Sequence, residues 1–556
     1  MERREFFKSA AAGAGLLILP SGTLFGQNAP SDKLNIALMG VWGRAIAHYN
    51  TLSTENVVAI CDVNENRLAE GLKLFPNAKT YWDWRKCLDQ KDIDAVIICT
   101  PDHHHAFIAN WAMNRGKSVF CEKPMAISVE EARTLRANYI RNKSKIATQQ
   151  GTQRHVFPNF ARLRELILDG AIGELQTISG WDSRTAPQPR YPDGQGEPPP
   201  FFHYDQWLGP APFHPYSPEY FAANSPGANC GQWNMYRDFG VGQMGDMGAH
   251  TMDLLWNAID GSAPTAIETD QELSSPYDPN ILPVKLKATF ELPPNAWRGP
   301  VKVVWYQGGL KPNPPRNFMD MSRISNGAIF QGSKGVILAD FNSRLIIPDS
   351  DAGDMTYYKR RTKEELLPSI GASSPTGAVV RPMPSTRAGA PGGRGGAPGG
   401  RGGAPQGGRG GRAASSAGLT IDGRCCFTPE GFTSFEMLPG NVPPEMGVPN
   451  AQLEAAIAAA AAGRPPAGDR QDGLFQRQWI DACKGKYNGV QHGTSTKTSC
   501  DYDYSGSMME QMLLGLVAHR AGKRLEYDPV AGRVTNAPEA NDYLKRTYRQ
   551  GWTLNG

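Results

Sequence analysis

Residues 34–62 read LNIALMGVWGRAIAHYNTLSTENVVAICD. The apolar run Leu34–Met39 meets a tight turn at Gly40 and Gly43, continues through a helix-compatible stretch, and returns as the apolar run Val57–Cys61, which ends in Asp62. This is the pattern of the first βαβ unit of a dinucleotide-binding fold. Glycines in the turn let backbone N–H groups approach a pyrophosphate at a helix N-terminus. Asp62, 22 positions after Gly40, is placed to accept hydrogen bonds from an adenosine ribose and to repel a 2′-phosphate, which favours NAD over NADP. Gly40, Trp42, Gly43 and Arg44 of the turn are therefore assigned to the cofactor with Asp62. The fingerprint G-x-G-x-x-G is imperfect: Ala45 is its allowed G/A variant, but Trp42 stands where it asks for a glycine. A strand feeding a helix with no ligand is the alternative for this stretch alone.

Working outward, the alternation continues. Residues 64–74 suit a helix, Ala95–Cys99 a buried strand ending in Thr100-Pro101-Asp102-His103, Ala106–Arg115 a helix, and Ser118–Cys121 a strand ending in Glu122-Lys123-Pro124. Strand and helix in alternation give a parallel, doubly wound sheet over residues 32–150, with ligands beyond the carboxyl ends of its strands. Thr100, Pro101, His103, Glu122 and Lys123 lie at such ends and join the cofactor site. From about Ile146 the pattern changes to a helix at 158–170 and alternating strands at 175–183, 284–291, 301–306 and 335–340, a second, C-terminal domain over 151–556. A helix is expected at 506–522.

The 556 residues are too many for one core, and 40% hydrophobic with 20% charged residues is the balance of a soluble globular chain. A net charge of +4 with five arginines in one Gly-rich segment gives no reason to expect nucleic acid. That segment, 385–418, repeats Ala-Pro-Gly-Gly-Arg-Gly-Gly and cannot bury enough apolar area to offset its ordering entropy, so a disordered insertion is expected there. The nine cysteines are scattered and suggest no disulfide framework. Arg3-Arg4-Glu5-Phe6-Phe7-Lys8 followed by the apolar stretch Ala10–Leu19 resembles a twin-arginine export signal, so residues 1–30 are read as a signal peptide, the mature protein as periplasmic or otherwise exported, and stable membrane insertion is not expected.

Glu122-Lys123-Pro124, Thr100-Pro101-Asp102-His103-His104 and Gly245-Asp246-Met247-Gly248-Ala249-His250, in this order behind a βαβ unit, resemble the Gfo/Idh/MocA oxidoreductases over about residues 34–340 and 474–552. The resemblance implies a second domain built on an open, mainly antiparallel sheet, one face over the nicotinamide and the other commonly against another subunit, hence a dimer or tetramer. It also implies roles: Lys123 binds the reacting hydroxyl and assists proton transfer, His250 is the general acid/base, and Asp246 binds substrate and tunes it. The residue types agree, since hydride removal from a carbinol needs a group to take the hydroxyl proton, and Asp246 and His250 share one helix face.

Gln153, Arg154, Arg237 and Asp238 are candidates for holding sugar hydroxyls or for interdomain ion pairs, and Trp233 in the aromatic stretch 191–236 for stacking on a sugar or for loop packing. No metal site is expected from His103, His104 and His105. The function expected is thus an exported NAD(H)-dependent oxidoreductase of a sugar, cyclitol or glycoside that keeps its cofactor. Two alternatives are an NAD-dependent glycosidase working by transient C3 oxidation and elimination, and a non-catalytic sugar-binding protein.

Overall fold

The computed structural model describes residues 33–556, apart from 186–189, 195, 222–231, 316–320, 323, 343, 350–469, 488–489 and 492–496. The twin-arginine stretch and the Gly/Arg repeat lie outside the described residues.

Six strands make the first sheet: β1 (Asn35–Met39), β2 (Asn56–Cys61), β3 (Lys79–Tyr81), β4 (Ala95–Ile98), β5 (Ser118–Cys121) and β6 (Thr148–Gln150), in the order β3-β2-β1-β4-β5-β6 and parallel throughout. Residues 36–39, 95–98 and 118–121 are buried without alternation. Covered faces on both sides account for such unbroken apolar runs. Helices α1 (Glu65–Leu74), α2 (Asp102–Asn114) and α3 (Val129–Asn142) supply part of that cover, with Asn64 and Ser128 side chains capping α1 and α3. After β1 the chain forms a 3-10 segment at Gly43–His48 and one α turn at Tyr49–Leu52 instead of the regular helix expected. Trp42 at its N-cap makes no side-chain cap bond.

The second sheet has nine strands: β7 (Leu175–Asp182), β8 (Ala266–Thr269), β9 (Leu286–Leu292), β10 (Val301–Gln307), β11 (Asn326–Gly332), β12 (Gly335–Ala339), β13 (Arg344–Pro348), β14 (Leu525–Asp528) and β15 (Arg533–Val534). Their order is β13-β12-β11-β7-β10-β9-β8-β14-β15, antiparallel except where β7 meets β10. Along β9 every second residue is buried, so one face carries the core. Helix α4 (Met247–Ile259) is buried at twelve of its thirteen positions and packs on β7.

The chain then returns to the first domain. In α5 (Arg470–Cys483), Phe475 and Trp479 are fully buried among Ile36, Leu38, Ile97 and Phe120 of the parallel sheet. Helix α6 (Tyr502–Ala521), capped by Asp501 and ended by Gly522 at φ +65°, packs along α3 and against β8 and β9, tying the two sheets together.

Candidate active site

Gly40 ends β1 at the point where neighbouring strands diverge to either side, the crevice in which open α/β sheets bind ligands. Its φ is +78°, and a Cβ there would lie 2.7 Å from the carbonyl oxygen of Cys99, so glycine is required on two counts. Asp62 accepts from Val41 N–H at 3.0 Å through one oxygen and from Asn64 N–H at 2.9 Å through the other. Burial raises its carboxyl above the usual range, against the pull of those two amides. The Trp42 indole lies 3.8 Å under the Arg67 guanidinium of α1, beside a groove lined by Asn64, Asn66 and Phe201.

Arg44 leaves the same turn for the nicotinamide side. Its Nε donates to Glu122 Oε1 at 2.8 Å, and His48 Nε2 meets the same oxygen at 2.9 Å. Burial opposes ionisation of Glu122, but the two partners overcome it and hold the carboxyl down at about 2. In the amide orientation that satisfies both groups, Gln153 accepts from Arg44 Nη2 at 3.2 Å and donates to Gly151 O. Thr100 Oγ1 and Glu122 Oε2, at the ends of β4 and β5, are buried oxygens without a hydrogen-bond partner among the described residues. A left-handed glycine turn, a ribose-side carboxylate and these two oxygens fit a dinucleotide laid across the strand ends, held by Gly40, Gly43, Asp62, Thr100, Pro101, Glu122 and Lys123.

Lys123 follows β5 and Asp246 occupies the N-cap position of α4 without a side-chain cap bond. Lys123 Nζ donates to Asp246 Oδ1, with only 8% and 9% of the two side chains exposed, and Arg184 Nη1 reaches Asp246 Oδ2 at 3.1 Å. One turn into α4, His250 is buried and its Nδ1 lacks a partner among the described residues. Burial, followed by the charges of Arg154, Lys123, Arg44 and Arg184, drives its pKa well below the usual histidine value, so the ring is neutral. The Arg154 guanidinium lies 4.3 Å over the Phe341 ring, whose edge-to-face partner is His250 at 6.5 Å. Lys123, Asp246, His250, Gln153 and Arg154 are thus brought together.

Three groups absent from the sequence-based candidates complete the ring. Arg184 and Asp182 come from the end of β7, and Asp102 from the first turn of α2. Asp182 Oδ1 accepts from Arg184 N–H at 3.0 Å, and its Oδ2 is a buried orphan. Burial raises its carboxyl to about 6 in spite of Arg184. Burial pushes Asp102 well up too, with Lys123 opposing and Asp246 assisting. The only signal in sequence was an Asp-x-Arg closing an alternating strand.

Four expectations are corrected. His103 does not reach toward a cofactor: it is fully buried in α2, its Nε2 2.8 Å from Trp207 O and Nδ1 3.2 Å from Phe239 O, because α2 starts at Asp102 and not at 106. Trp233 lies in a small aromatic core with Trp207, Tyr220, Tyr236 and Phe239, which bury one another instead of lining a sugar site. Arg237 turns its Nη2 to the carbonyls of Asp278 and Ile281 and lines a different cavity, shared with Arg520 and Lys545. Asp238 binds His214 and Tyr191.

A glycine turn suited to a dinucleotide and a lysine–carboxylate pair with a neutral histidine thus lie over the same strand ends of a two-domain fold. Residues 34–149 match the family model described as oxidoreductase family, NAD-binding Rossmann fold, and residues 178–278 match the C-terminal alpha/beta domain of the same family. Both matches are to domains of the Gfo/Idh/MocA oxidoreductases, which these two segments of the chain resemble.

Among curated relatives, inositol 2-dehydrogenase of Salmonella paratyphi B is 32% identical over 26% of this chain and 43% of its own length. Levoglucosan dehydrogenase of Pseudarthrobacter phenanthrenivorans is 33% identical over 22% of this chain and 30% of its own length. A glycosyl hydrolase family 109 protein of Stenotrophomonas maltophilia is 32% identical over 24% and 31%. The chain spans less than half the length of these relatives. The WlbA dehydrogenase from Chromobacterium violaceum, solved with NADH and UDP-GlcNAcA, aligns with 89% of this chain and 96% of its own at 14% identity and a TM-score of 0.47.

Proposed function

We propose that the protein is an NAD(H)-dependent dehydrogenase of a sugar, cyclitol or glycoside, exported by the twin-arginine route with its nucleotide retained, and assembled as a homo-oligomer. The observation that carries the reading is the Lys123–Asp246 ion pair set beside a neutral, buried His250. Bound NAD supplies a hydride acceptor. Asp246 holds the Lys123 ammonium in place at the strand ends, where it can face the substrate oxygen. The positive field of Lys123, Arg154 and Arg184 favours the alkoxide form of that oxygen. His250, kept neutral by burial and the same cations, takes the hydroxyl proton on its imidazole.

Outside the cytoplasm no NAD pool refills the site. Retention for about an hour at an on-rate near 10⁶ M⁻¹s⁻¹ requires a Kd of about 10⁻¹⁰ M. Lys123→Ala and His250→Ala should each abolish sugar-dependent turnover, with the nucleotide retained in the His250 variant, and full turnover in either variant removes that residue from the mechanism. A second reading, transient oxidation followed by elimination of an aglycone, is favoured by the relative named as a glycosyl hydrolase and by a carboxyl at Asp182 able to exchange protons near pH 6. Aglycone release from a nitrophenyl glycoside with no net NADH distinguishes it.

A further inference from the structure

Away from the hydride-transfer groups, three segments remote in sequence converge. A ring nitrogen of His155, a carboxylate oxygen of Asp253 and Sγ of Cys500 all lie within 4.8 Å of one another. Asp253 and Cys500 are fully buried, and the His155 side chain is 8% exposed. His155 Nδ1 is 2.8 Å from Asp253 Oδ1, which also accepts from Tyr504 OH at 2.6 Å. Thr152 Oγ1 donates to Cys500 Sγ at 3.2 Å. Asp253 Oδ2 is buried with no donor facing it among the described residues.

We propose that His155, Asp253 and Cys500 form a binding site for a zinc-class divalent cation, with three protein ligands and a fourth position for water. Imidazole, carboxylate and thiolate together suit zinc or cobalt over the harder magnesium or calcium, which take oxygen donors. In the loaded site a dication balances one carboxylate and one thiolate beside a neutral imidazole. The orphan oxygen of Asp253 gains a partner. Outer contacts are in place, with Tyr504 on the carboxylate and Thr152 on the sulfur. His155 also lines a cavity of about 810 Å³ together with Arg164, Lys497, Ser499 and Tyr504. Binding displaces the thiol proton of Cys500 and the proton shared by His155 and Asp253, with no change of oxidation state. Asp253 is one turn from His250 on α4 and His155 adjoins Arg154, so the loaded site braces both from behind.

The test uses the full chain. Elemental analysis after dialysis should find near one equivalent of zinc, and Co²⁺ added to metal-free protein should produce a thiolate-to-cobalt charge-transfer band that excess zinc abolishes. Cys500→Ser should lose the band and Cys121→Ser should keep it. Wild-type protein with neither metal nor band, or a band that survives Cys500→Ser, overturns the proposal. If Cys500→Ser does not fold, the wild-type cobalt spectrum and its competition by zinc decide. A Cys500 that alkylates equally fast with and without zinc also counts against it.

Discussion

At Glu122 a single carboxylate oxygen receives both Arg44 and His48, joining the turn after β1 to the residue before Lys123. Because its pKa is lowered, the stability it contributes is complete above the unfolded value near 4.5 and is lost as pH falls through about 2. Glu122→Gln removes the buried carboxylate that Arg44 and His48 share, and chemical denaturation at pH 7 should show a loss of about 3 kcal/mol. Asp182 has the opposite sign. Its folded pKa is raised to about 6, so the buried charge costs stability above that pH, and the cost fades between about 6 and the unfolded value near 3.8. Asp182→Asn should therefore raise the melting temperature at pH 7.5 and have little effect near pH 4, while flattening any inflection of turnover near pH 6. Asp62→Ala should weaken nucleotide binding at least tenfold by titration, since it loses a ribose acceptor and the anchor of Val41 N–H.

Among the elements, α2 and α5 show how local signals stop short of position. The apolar run of β4 was plain, but the following Pro101-Asp102 is the start of α2, so His103, His104 and His105 fall in its first turn and face inward. His105 lies between the carbonyls of Thr100 and Pro124, 2.7 Å from each, and spans the exits of β4 and β5. Helix α5 lies more than 300 residues beyond the sheet it covers. Trp479 is fully buried there, edge-on to Phe120 at 5.7 Å. Trp479→Ala should cost about 3–5 kcal/mol in reversible unfolding and weaken nucleotide binding, because the emptied volume adjoins β1 and β4. Strand β8 escaped prediction for the plain reason that four residues carry too little periodicity.

For the whole molecule, the outcome that matters is whether the nucleotide stays. Denatured protein should release NAD(H) in near one-to-one amount, identified by absorbance and mass, and dilution should not empty the site within about an hour. Release of no nucleotide, with none taken up on addition, would sink the retained-cofactor reading and restore the sugar-binding alternative. The sequence by itself determined the parallel domain, the NAD-type crevice and the lysine at its edge, because a glycine turn, a strand's apolar run and the residue just after it are local in the chain. Tertiary structure alone decided which charges face that lysine. Asp246, the Asp182–Arg184 pair and Asp102 arrive from three different elements, and their convergence depends on how β7 pairs with β10 and β11 and on the packing of α4 against β7. The same holds for Trp233 and Arg237, whose chemistry suits a sugar but whose loop carries them into packing elsewhere, and for His155, Asp253 and Cys500, which no spacing along the chain would have joined.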